Sequence, residues 1–278
     1  MAHEAPASLD RSTALRRGAL FIVATSPIWL LPKRFPVFHP AAMLGVLLGA
    51  TLLFLWWDHR SPSELGLALS WRPVAKLVGG MLGGVLLIAA IIALLYAVLP
   101  FDWVHNPTFL PKAAALAMFY ALISAGVEEL LFRGYGFERL ITSIGLWPAQ
   151  LIVALMFGTY HFLNGYAWQA AYTGTLLGSV LFGLVFVRTR SVPAAAGFHA
   201  AANWARNAVL SDPPTTRTWF GPVAGRSWTP AESQTSMIVF NGVTILACVL
   251  LYWSIRRRDR ALPAPEARCQ TWRAGLEP

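Results

Sequence analysis

Eight stretches of the chain are long, nearly uninterrupted apolar blocks, and this pattern leaves few folds open. Crossing a bilayer as a helix takes about 20 mostly apolar residues. The blocks cover residues 18–31, 41–57, 77–99, 113–131, 147–161, 168–187, 192–210 and 237–253. The pattern predicts an all-α, polytopic bundle of about eight transmembrane helices, the first block being the shortest and interrupted by Pro27. Composition agrees. Only 13% of the 278 residues are charged and 56% are hydrophobic, against roughly 25% charged in an ordinary soluble domain. So few polar residues could not cover the surface of a soluble enzyme. A disordered chain, a coiled coil and a disulfide-stapled module are excluded on the same grounds.

Charge places the blocks relative to the membrane. The net charge is +9, and the basic residues gather at the ends of apolar blocks, where cytoplasmic loops anchor membrane helices. That distribution argues for the lipid bilayer as a partner and against nucleic acid. Arg60, Arg72 and Lys76 follow the second block, Arg133 and Arg139 the fourth, Arg188 and Arg190 the sixth, and Arg256, Arg257, Arg258 and Arg260 the eighth. The alternate connections are poorer in basic residues, which sets both termini in the cytoplasm; Lys33 and Arg34 run against the scheme. Residues 1–17 read as an uncleaved cytoplasmic arm rather than a signal peptide. The expected location is a cell membrane of the bacterial inner-membrane type. Tryptophans flanking the blocks (Trp56, Trp57, Trp71, Trp103, Trp147, Trp168 and Trp253) fit an interfacial belt. The linker 211–234 is expected outside the membrane, as a solvated connector or a lid, and the tail 261–278 as disordered. Cys248 and Cys269 have no metal or redox spacing, and Cys269 lies too far from the end for a prenylation box.

Three blocks carry polar groups where hydrocarbon is expected. The fourth contains Glu128, Glu129 and Arg133, the fifth ends in Phe157 and His161, and the seventh contains His199 and Asn203. A buried acid costs about 2.5–3.5 kcal/mol on insertion scales, so two adjacent acids call for partners within the bundle. Glu129 and Arg133 are one helical turn apart and suited to an ion pair, whereas Glu128 is rotated about 100° away, toward a cavity. If the fourth helix continues past Leu140 and turns at 141–146, Glu129 and His161 lie roughly 17 and 22 Å from that turn, with His199 and Asn203 roughly 10–16 Å deep. Three helices thus bring polar groups to one stratum.

The groups suit hydrolysis. A carboxylate can hold and deprotonate water, a histidine can share that work or protonate a leaving amine, and an imidazole beside an amide can donate to an oxyanion. No serine or cysteine in these segments has a base at a suggestive spacing, which favours direct attack by water over an acyl intermediate. The same residues could hold zinc, although the spacing of HExxH proteases is absent. Each also has a structural reading: Glu129–Arg133 as an ion pair, His161 as an interfacial histidine, and His199 with Asn203 as interhelical hydrogen-bond glue.

Together the segments resemble the signature of the CPBP family of intramembrane proteases, also called the CAAX-protease and bacteriocin-processing, or Abi, family. The motifs read Glu128-Glu129-xxx-Arg133, Phe157-xxx-His161 and His199-xxx-Asn203, in that order on separate helices. The resemblance covers roughly residues 113–210. It implies a water-accessible intramembrane cavity and an endopeptidase acting on a membrane-associated or lipidated protein or peptide. It further implies catalytic roles for six residues: Glu128 activating water with His161, His199 and Asn203 stabilising the oxyanion, and Arg133 fixing Glu129. No cofactor is expected on this reading, with zinc at Glu128, His161 and His199 as the alternative. The expected organisation is an N-terminal arm and helices (1–112), a catalytic core (113–210), and a loop, last helix and tail (211–278). Two other readings use the same polar cluster: a non-catalytic membrane protein that binds a partner, such as an immunity or secretion factor, and a proton-coupled transporter. The absence of an internal repeat weighs against the transporter.

Overall fold

The computed structural model describes residues 9–28, 40–99, 103–210, 215–222 and 228–261. Lys33, Arg34, most of the tail and part of the 211–234 linker lie outside the described residues. Nine helices account for almost all of the described chain: α1 (Arg11–Thr25), α2 (Pro40–Trp57), α3 (Trp71–Val98), α4 (Pro111–Arg133), α5 (Tyr135–Ile144), α6 (Leu146–Leu163), α7 (Trp168–Thr189), α8 (Val192–Val209) and α9 (Pro230–Ala261). Seven of the eight apolar blocks form the bodies of helices; the first, 18–31, is helical over 18–25 in α1, and its residues 29–31 lie outside the described residues. A helical membrane bundle is the fold.

Among the described residues, six helical runs are long and apolar enough to cross a membrane: α2, α3, the α4–α5 run, α6, α7 and α9. Their large apolar side chains point outward. Leu82 and Leu86 on α3, and Leu246, Val249 and Leu250 on α9, are all exposed, as lipid-facing positions must be when the surrounding solvent is hydrocarbon. The two helices outside this set differ for physical reasons. At 15 residues, α1 is only about 22 Å long. It buries Ala14, Gly18, Phe21 and Thr25 on one face, a helical repeat that packs it against α5. Its N-cap is Asp10, whose carboxylate accepts from the backbone N–H groups of Ser12 and Thr13, both at 2.9 Å. Hydrogen bonds from the hydroxyls of Ser12 and Thr13 hold that carboxyl well below the usual carboxylate range.

The other exception, α8, is too polar to face lipid and is enclosed instead. It is buried along most of its length and packs against α3, α4 and α7. The α3–α8 contact is backbone on backbone. A Cβ at Gly80 or Gly84 would strike the α8 main chain, and one at Gly197 would strike the main chain at Leu77. Small residues serve this purpose in membranes, where close packing replaces the hydrophobic effect between helices. The alanine-rich sequence of α8, which looks unremarkable as a membrane span, is what allows a helix carrying His199 and Asn203 to sit at the centre.

Two local features were not expected. Trp103–His105 (β1) pairs antiparallel with Phe220–Pro222 (β2). The side-chain amide of Asn106 donates to the carbonyls of Thr215 and Thr218, both at 2.8 Å, and Trp219 N–H donates to Ala208 O at 2.7 Å. Part of the linker is therefore docked on the end of α8. Strands of three residues are too short to show alternation in sequence. The second feature is a π-helical turn, Ala171–Thr175, inside α7, a distortion often found at functional sites.

Candidate active site

α4 ends at Arg133 and Gly134 breaks it. A Cβ at position 134 would collide with Leu130 O, so glycine permits the tight step into α5. This short break fixes the last turn of α4, where Glu128, Glu129 and Arg133 lie. Glu129 and Arg133 are both fully buried, and Arg133 Nη1 donates to Glu129 Oε1 at 3.1 Å. The expected ion pair within one helix is present.

From α8, His199 reaches both acids. Its Nδ1 is 2.9 Å from Glu129 Oε1, and its Nε2 is 3.8 Å from Glu128 Oε2. The Glu129 carboxylate, paired with the Arg133 guanidinium, accepts at this contact, which selects the Nδ1–H form of the imidazole. Nε2 then turns its lone pair toward Glu128. Glu128 Oε2 is buried without a hydrogen-bond partner. Glu128 also lines a polar cavity of about 460 Å³ with Ser124, His199, Asn203 and Asn207.

His161 is held in the same sense by a different acceptor. Its Nδ1 lies 2.9 Å from Phe157 O, one turn back on α6. It lines a second cavity of about 460 Å³, more apolar, between α3, α7, α8 and α9. His199 and Asn203 stand on the walls of both cavities. Phe157 separates the charged groups, its ring centroid 4.5 Å from that of His161, 6.0 Å from that of His199 and 4.5 Å from the Arg133 guanidinium. All six polar residues singled out in the sequence therefore lie on one connected structure. Glu128, Glu129, Arg133 and His199 form its ionic centre; His161 and Asn203 stand at the cavity walls.

Three further residues support this centre. Arg133 Nη2 donates to Ser179 Oγ at 2.6 Å and to Ser179 O at 3.1 Å. Gln150 Nε2 donates to the same carbonyl at 3.3 Å. Phe182 stacks on His199 with centroids 4.2 Å apart and planes at 19°. None is ionisable, so a scan for charged groups in apolar blocks passes over them.

Arg139 is a correction. Its place after the fourth block suggested a solvated loop cation, but its side chain is 2% exposed and pairs with Glu138 and Asp58. Arg133, counted in the same loop, is wholly buried. Neither is a solvated loop cation.

Zinc was the alternative occupant of Glu128, His161 and His199. Among the described residues no three His, Cys, Asp or Glu side chains form a cluster able to hold a metal ion. Glu128 and His161 line separate cavities, so the geometry supplies no ready ligand set.

Residues 110–205 match the family model of the type II CAAX prenyl endopeptidases, Rce1-like. The matched segment runs from the start of α4 into α8 and contains all six polar residues. No curated protein matches the chain.

Proposed function

We propose, from the match of residues 110–205 to the type II CAAX prenyl endopeptidase family model, that this protein is an intramembrane endopeptidase in which Glu128 and His199 activate the attacking water. The observation that carries the reading is the unpartnered Glu128 Oε2, set 3.8 Å from His199 Nε2 on a polar cavity.

Two acceptors at that separation can both bind one water molecule at ordinary hydrogen-bond lengths of about 2.8 Å. Each accepts a hydrogen bond from one of its O–H groups, which leaves an oxygen lone pair free to attack a peptide carbonyl. One proton passes to Glu128 as the C–O bond forms. Glu129 then steadies any positive charge that develops on His199, as a buried carboxylate does for a catalytic imidazole. Asn203, on the walls of both cavities, is the amide we assign to donate to the oxyanion. Glu128, now protonated, returns its proton to the leaving amine as the C–N bond breaks. No covalent intermediate is needed. These contacts support His199, rather than His161, as the direct partner of Glu128. His161, across Phe157, faces the more apolar cavity, which suits the apolar part of a membrane-associated or lipidated substrate. A bacterial inner membrane, with both termini cytoplasmic, is the location proposed.

Glu128→Gln keeps the shape and removes the base. Turnover is expected to fall by about 10²–10⁴-fold with thermal stability unchanged. The assay is cleavage of quenched fluorescent peptides, with and without a lipid group, by purified protein in liposomes, run with and without chelator. Comparative membrane proteomics of a Glu128→Ala strain should show uncut precursors accumulating. Equal processing by parent and variant would overturn the assignment, and loss of activity on chelation would restore the metal-dependent version.

A further inference from the structure

α7 supplies none of the motif residues, yet it presents a row of contacts to the site at helical spacing: Ser179, Phe182 and Gly183. Ser179 is fully buried. Its hydroxyl and carbonyl are the acceptors for Arg133 Nη2, while Arg133 Nη1 is committed to Glu129. Gln150, also buried, braces the Ser179 carbonyl from α6. A Cβ at Gly183 would run into the Gln150 amide, so that glycine keeps the brace in place. The result is a continuous buried chain from Gln150 through Ser179, Arg133 and Glu129 to His199, drawn from α6, α7, α4 and α8.

We infer that Ser179 is a positioning residue for the hydrolase proposed above, on which this inference rests: by gripping one arm of the Arg133 guanidinium it aims the other at Glu129, and so fixes the His199 tautomer that faces Glu128. Geometry carries the point. A guanidinium is a rigid planar fork, so holding one arm sets the direction of the other. The aromatic rings around Arg133 Cζ, those of Phe157 at 4.5 Å and Phe182 at 5.5 Å, confine the plane but offer no in-plane acceptor. Of the two Ser179 oxygens that set the rotation of this arm, the hydroxyl at 2.6 Å is nearer than the carbonyl at 3.1 Å.

A plainer role is available to a buried serine in a membrane helix, namely allowing close approach. Ser179→Ala separates the two, because alanine is equally small and lacks only the hydroxyl. The variant is expected to lose about 10–100-fold in kcat, the range seen when a group that orients a functional histidine is removed, with KM unchanged. Independently of turnover, ¹⁵N spectra of histidine-labelled protein in liposomes are expected to change. His199, assigned by difference from His199→Gln, should show the Nδ1–H form in the parent and a mixture of tautomers in the variant. Should Ser179→Ala not fold, Ser179→Cys fills the same space with a much weaker acceptor and is read in the same way. Unchanged kcat and an unchanged His199 spectrum in either folded variant would overturn the inference. A chain that cuts no peptide, yet whose His199 spectrum responds to Ser179, would sink the hydrolase reading and leave the positioning chain standing.

Discussion

Neighbouring stretches of the same chain build two buried ionic clusters, and they are built differently. One joins Glu128, Glu129 and Arg133 of α4 to His199. The other joins Glu138 and Arg139 of α5 to Asp58, Arg17 and Arg190. In the second, every carboxylate has guanidinium partners: Asp58 pairs with Arg17 and Arg139, and Glu138 with Arg139 and Arg190. Tyr135 Oη also donates to Asp58 at 2.7 Å, and the Asp58 side chain has no exposure. This cluster fastens α1 and the end of α2 to α5. In the first cluster there is a single arginine for two acids. It is committed to Glu129, and Glu128 has no guanidinium within ion-pair distance among the described residues. A carboxylate whose oxygens are taken up by guanidinium groups has little room left to bind a water molecule; one facing an imidazole across a cavity has that room. Burial alone therefore does not mark a functional acid. The choice of counter-group does.

The largest effect is expected where structure and chemistry coincide. Arg133→Met leaves Glu129 buried without its cation, and stability should fall by about 3–5 kcal/mol, with activity lost as well because Glu129 no longer directs His199. Thermal unfolding in detergent and peptide cleavage by the remaining folded fraction measure the two losses separately. Asp58→Ala should also lose stability, toward the lower end of the same range at about 3 kcal/mol, since it takes from Arg17 its carboxylate and leaves Arg139 with Glu138 alone. Cleavage per folded molecule should stay at the parent level, because Asp58 contacts none of the site residues. If the Asp58 variant lost turnover in its folded fraction, the division between a fastening cluster and a working cluster would not hold.

Much of this was legible in the sequence for identifiable reasons. The spans were visible because lipid requires long apolar runs. Glu128, Glu129, Arg133, His161, His199 and Asn203 stood out because ionisable or amide groups are costly in such runs. The Glu129–Arg133 pair followed from one-turn spacing along one helix. What did not show were contacts between distant segments. Asp58 meets Arg17 and Arg139 only because α1 folds back on α5, and no periodicity announces it. Ser179 and Gln150 are mildly polar in apolar blocks, and their importance depends on which guanidinium points at them. The connection of His199 Nδ1 to Glu129 was equally hidden: the family resemblance implied His161 as the partner of Glu128, and it is the 3.8 Å approach of His199 Nε2 to Glu128 that turns our proposal to His199. The β1–β2 ribbon escaped because its strands are too short to alternate.

A third ion pair sets the lower end of the scale. Arg60 and Glu64 have the same four-residue separation as Glu129 and Arg133 and a shorter distance, 2.7 Å against 3.1 Å. If spacing and distance governed strength, it would be the stronger pair. Its side chains, however, are 25% and 14% exposed, whereas those of Glu129 and Arg133 have no exposure. Water and salt screen such a pair, and losing it leaves neither partner stranded, because each can be solvated where it stands. Glu64→Gln should therefore cost no more than about 0.2–1 kcal/mol, diminishing further as salt is raised, with cleavage unaffected. Thermal unfolding of this variant beside Arg133→Met at two ionic strengths makes the comparison. A loss at Glu64 as large as that at Arg133, or one indifferent to salt, would show that burial is not what separates the two pairs.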